Sequence, residues 1–154
     1  MKRLLTTLIV LLGIFAGASA QKGLEINKVF GGKYINDPTV TETMMSGEQK
    51  FLRSHNLSTL ATFRGESKTY SPILQPLVLA DGTNAIGRNV RYRDGKLQYA
   101  FFILKPVETG GKKINRYLYY LNNENSKRPS AMLIYFDGSL SRSQAESLIR
   151  SLKK

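Results

Sequence analysis

Few side chains in this 154-residue chain could do chemistry. The single histidine, His55, stands beside Phe51 and Leu52, where an imidazole reads as packing rather than as a general base. Three carboxylates, Asp81, Asp94 and Asp137, each precede a glycine, a pairing that turns and element ends use. Asp81 stands apart from the other two: on a helical reading it shares a face with Leu74, Leu77, Val78 and Ala85. A carboxylate buried there needs a partner such as an Arg or a Tyr. No G-x-S-x-G, no H-E-x-x-H and no metal-spaced pair of histidines occurs. With no cysteine in the chain, thiol chemistry and Cys-metal sites are excluded. The residues assign no catalytic group, metal or cofactor, and the expectation is a protein that is not an enzyme.

Binding chemistry is better represented. The formal charge is +12, an excess that favours encounter with anionic surfaces, although a well-solvated basic protein would carry it too. Part of the charge is placed by a recognisable element. Arg88 to Leu104 reads as two strands joined at Asp94-Gly95, because Asp-Gly between alternating apolar residues is a strong hairpin signal. A two-residue turn sets Arg93 opposite Lys96, Tyr92 opposite Leu97, Arg91 opposite Gln98 and Val90 opposite Tyr99. Arg91, Arg93 and Lys96 then crowd one face, where like charges repel unless an anion bridges them. Together with Arg116 they form the candidate anion-binding set, with Lys105, Lys112 and Lys113 as a possible extension. The candidate partner face is Phe102, Leu104, Leu118 and Tyr120, which alternate away from Tyr99, Phe101 and Ile103. Left open, that face would serve a protein partner or a second copy; covered, it is core. Tyr117, Tyr119 and Tyr120 near Arg116 have the makings of a base-stacking platform, but no recognition signature accompanies them, so nucleic acid is disfavoured as a partner.

The elements that position these residues follow in chain order. Residues 1–20 carry a basic start, an apolar run from Leu4 to Phe15 and Ala18-Ser19-Ala20. This is the pattern of a signal peptide cleaved after Ala20, with an uncleaved anchor as the alternative. Cleavage would leave residues 21–154 as one α+β domain with a charge of +10, periplasmic or secreted, with no later membrane span. Leu24 to Phe30 suggests a first strand, and Thr39 to Met45 a second. Ser46 and Gln49 have capping-box spacing ahead of a short helix that Asn56 could close, while Leu57 to Phe63 is ambiguous between helix and strand, ended by Gly65.

Ser71-Pro72 or Gln75-Pro76 starts a helix, since proline is at home in the first turn. After the hairpin, whose second strand Pro106 should stop, Ile114 to Leu121 and Ala131 to Phe136 are β-rich. The second of these runs is apolar enough to be buried on both faces at the centre of a sheet. Ser141 and Gln144 form a second capping box opening an amphipathic helix with a stripe of Ala145, Leu148, Ile149 and Leu152, and Lys153 and Lys154 complement its dipole. The fold class is therefore α+β, an antiparallel meander of four to six strands with helices packed on it, including this C-terminal one.

Taken together, the leader, Val29-Phe30, the stretch from Phe51 to Gly65, the hairpin, and Leu133 to Ser139 leading into the closing helix give a pattern that resembles small signal-peptide proteins of unknown function from Bacteroidota gut bacteria. The resemblance implies a periplasmic or secreted α+β domain and carries no functional residue. The expected partner is an anionic envelope component or another envelope protein, with self-assembly through an apolar sheet face as the competing class.

Overall fold

The computed structural model describes residues 21–152, so the leader and the Lys153-Lys154 end lie outside it. Six antiparallel strands form one sheet: β1 (Thr41–Ser46), β2 (Leu57–Glu66), β3 (Gly87–Arg93), β4 (Lys96–Thr109), β5 (Lys112–Asn123) and β6 (Ser130–Gly138). Their order is β1-β2-β6-β5-β4-β3. The meander from β3 to β6 is as the sequence predicts, and the apolar run of β6 lies at the centre between β2 and β5. Among the described residues three helices pack on the sheet: α1 (Lys50–Ser54), α2 (Ser67–Gly82) and α3 (Arg142–Leu152).

Both sheet faces are covered. On one side α2 and the N-terminal segment pack Tyr70, Leu74, Val78, Ile26 and Val29 against Phe63, Phe102, Leu118, Tyr120 and Leu133. On the other, Leu52 of α1 and Ala145, Leu148 and Ile149 of α3 pack against Phe101, Tyr117, Ile134 and Phe136. The period-two alternation of the strands feeds both cores, which is why aromatic residues on each parity are buried.

Several local expectations are corrected. Leu24 to Phe30 is not a strand: Glu25–Val29 is a 3-10 turn whose Ile26 and Val29 are buried. Its first amides, Glu25 N–H and Ile26 N–H, donate to the two carboxylate oxygens of Asp81 at 2.7 and 2.9 Å, a side-chain cap from a distant helix. Helix α2 begins four residues before Ser71 and contains both Pro72 and Pro76. Ser67 anchors its start by donating its N–H to the Pro129 carbonyl, and the prolines lie on the exposed side while Tyr70, Leu74 and Val78 fill the core. Packing thus outweighs the lost helical hydrogen bonds. Gly65 does not end β2, which runs on to Glu66. The Ser46/Gln49 box is replaced by a single bond from the Gln49 amide to the Ser46 carbonyl. Pro106 sits inside β4, in the irregularity between Leu104 and Val107, where the ladder needs no donor from it.

The second capping box forms as predicted: Ser141 N–H donates to Gln144 Oε1 at 2.8 Å, and Gln144 N–H donates to Ser141 Oγ at 3.3 Å.

Candidate functional site

The hairpin turn adopts the conformation Asp-Gly encodes, with φ of 51° at Asp94 and 76° at Gly95. Arg93 faces Lys96 and Tyr92 faces Leu97 as predicted, but Arg91 then faces Tyr99 and Val90 faces Ala100. Gln98 is the extra residue of a β-bulge, so Leu97 points into the α2 core while Tyr99 packs on the α3 side. The Gln75 side chain of α2 pins this spot, its Nε2 donating to the Leu97 carbonyl and its Oε1 accepting from the Leu97 N–H, each at 3.2 Å.

Arg91, Arg93 and Lys96 are all exposed; Arg91 lies with Tyr99 on the α3 side, while Lys96 at the hairpin end borders a groove with Ser67, Lys68 and Gln75 of α2 and with Glu124. The Arg91 guanidinium lies 4.9 Å from the centre of the Tyr99 ring, a cation–π contact that holds it against the sheet. Tyr99 meets Tyr119 edge-on at 5.5 Å, which links this surface to the core beneath.

Arg116 does not belong to that set. It pairs with Leu104 and Asp137 on the α2 face, and Leu104 is roughly 25 Å along β4 from Lys96. Its Nε donates to the Lys105 carbonyl at 2.8 Å, and its positive charge opposes the burial that raises the carboxyls of Asp81 and Asp137. Arg116 is a half-buried counter-charge to these two carboxylates, away from the hairpin cations.

The proposed partner face is also interior. Phe102, Leu104, Leu118 and Tyr120 are each 3 % exposed or less, covered by α2 and the N-terminal segment. Tyr117, Tyr119 and Tyr120 are buried as well, so they offer no stacking platform.

The three carboxylates diverge. Asp94 is exposed in its turn. Asp81 finds backbone amides where an Arg or Tyr was expected, and burial lifts its carboxyl above the ordinary range. Asp137 is fully buried inside β6, not in a turn. It accepts from the Tyr135 hydroxyl at 2.6 Å and faces Thr59 across the β2 pairing; burial pushes its carboxyl up to about 6 despite those bonds and Arg116. Spacing of two within a strand could have shown that Tyr135 and Asp137 share a face, but the following Gly138 suggested a turn instead.

His55 closes α1 with its ring against Phe51, centroids 4.3 Å apart, and its Nδ1 lies 2.9 Å from the Phe51 carbonyl. It borders a groove with Ser54, Ser143, Gln144 and Ser147, and no carboxylate lines that groove to orient the imidazole. Among the described residues no three acidic or histidine side chains cluster as a metal site, and no helix is long and apolar enough to cross a membrane.

A six-stranded antiparallel sheet with helices on both faces places the chain in the α+β class. Within that class the chain belongs to a family of unknown function, DUF6108, whose model matches residues 14–149. No curated protein and no solved structure matches it.

Proposed function

We propose that this is a non-catalytic, envelope-associated binding protein, periplasmic or secreted after cleavage behind Ala20, whose hairpin cations meet an anionic envelope component. The observation that supports the reading is the placement of Arg91, Arg93 and Lys96. They stand together on a hairpin held from beneath by Gln75 and Tyr99, and none of them forms an ion pair among the described residues. Arg93 and Lys96 are direct cross-strand partners, so an anion bridging them would relieve their repulsion. Two of the three are arginines, whose planar fork suits carboxylate and phosphate groups.

The test is co-sedimentation of the protein with anionic vesicles and with acidic polysaccharide, at low and high salt. Binding should fall at high salt, because exposed charge pairs are screened, and should be lost in the Arg91→Glu/Arg93→Glu variant. Unchanged affinity in that variant would sink the proposal.

A further inference from the structure

A second surface on the α3 face has a different character. The strand pairings align Arg64, Met132, Leu121, Tyr99 and Arg91 in one row across β2, β6, β5, β4 and β3. Met132, Leu121 and Tyr99 lie at the margin of the core under α3 and are only half-buried, so they form an apolar ledge about 10 Å across. Beside the ledge, between the loops that lead into β1 and β6, runs a groove of about 540 Å³ whose walls include Arg64, Arg128, Thr41, Ser130 and Glu66. Arg64 is the cross-strand partner of Met132, so one wall of the groove adjoins the first residue of the ledge.

The electrostatics select the occupant. Neither Arg64 nor Arg128 is in an ion pair among the described residues, and two guanidiniums against the one carboxylate of Glu66 leave the groove a single net positive charge. Such a site is neutralised by a monoanion, whose one charge offsets the one that Glu66 leaves uncompensated. The ledge suits a ligand that also carries an extended apolar part reaching from Met132 toward Tyr99. We infer that this groove and ledge bind a free medium-chain carboxylate. Its head would sit between Arg64 and Arg128, accepting from their N–H groups and from the Thr41 and Ser130 hydroxyls, and its chain would lie across Met132 and Leu121. The site is separate from the hairpin cations Arg93 and Lys96 and does not rest on their role.

Isothermal titration of the protein with decanoate, below its micelle concentration, tests the assignment. The expected result is saturable one-to-one binding, at least tenfold weaker in each of Arg64→Ala and Arg128→Ala, both exposed positions whose loss leaves the core intact. Shortening the probe to octanoate should weaken binding about fifteenfold, roughly fourfold per buried methylene. Decanol should bind far less, and Arg93→Glu should leave decanoate affinity unchanged. Absence of saturable binding overturns the inference, as does an affinity indifferent to both arginine substitutions or to chain length. Binding to anionic vesicles without binding to decanoate would also overturn it, in favour of a membrane headgroup.

Discussion

The hydroxyl of Tyr135 donates to the carboxylate of Asp137, its neighbour two residues along β6, at 2.6 Å, and both side chains are completely removed from solvent. Burial raises the Asp137 carboxyl from 3.8 to about 6, so the folded state holds this proton more tightly than the unfolded chain does. The contribution to stability is therefore full below pH 3.8 and is lost as pH rises through 6, an effect on the order of 3 kcal/mol. Asp137→Asn stays neutral and keeps an acceptor for Tyr135. Relative to the wild type it should gain stability between pH 4 and pH 7.5, measured by urea unfolding at both values. Asp81 and Glu42 are shifted in the same direction by burial, so a smaller decline should persist in the variant. Parallel stability profiles for the two proteins would refute the account.

Asp81 ties the N-terminal segment to the end of α2. Asp81→Ala removes the acceptor of two amides, Glu25 N–H and Ile26 N–H, and should destabilise the domain by about 2–3 kcal/mol. The loss should be local first: amide exchange at Ile26 and Val29 should accelerate before that of β6 does. Equal acceleration throughout would mean that the segment is not a separately held strap.

Gly82 shows a different kind of constraint. A Cβ built there would lie 2.4 Å from Cζ of Phe102, a ring that is 2 % exposed and closed in by its neighbours. Gly82→Ala should therefore cost about 1–3 kcal/mol through overpacking, seen as a lower melting temperature. The double variant Gly82→Ala/Phe102→Leu should recover part of that loss relative to Phe102→Leu alone, because the clash is with the ring.

What the sequence made legible was the set of elements whose local chemistry and tertiary role agree. Asp94-Gly95 needs two positive φ values wherever it is placed, the apolar run of β6 has only the sheet centre to occupy, and the capping box and stripe of α3 point to one packing. What stayed hidden was decided by distant partners. The turn at Glu25–Val29 is capped by a residue 55 positions away, and α2 begins where Pro129 receives Ser67 rather than where proline would start a helix. A single bulged residue, Gln98, redistributes the second half of the hairpin between two faces, and period-two reasoning has no way to foresee it. The same long-range pairing decides the surface, which is why Arg116 left the cationic set and Arg64, never singled out, entered the row with Tyr99.

The closing helix carries the last prediction. Ala145, Leu148 and Ile149 are buried against Phe101, Tyr117, Ile134 and Phe136, and the Tyr117 hydroxyl donates to the Leu140 carbonyl at 2.9 Å just before the helix begins. Truncation after Ser139 would expose the whole α3-side core and leave Tyr117 without its acceptor, so the domain should lose several kcal/mol or fail to fold. The milder Leu148→Ala keeps the helix and isolates one contact, with an expected cost of about 2–4 kcal/mol in urea unfolding. It should leave the hairpin pairing intact, since Leu97 and Gln75 belong to the opposite core. A Leu148→Ala protein as stable as the wild type would show that α3 rests on the sheet without supporting it.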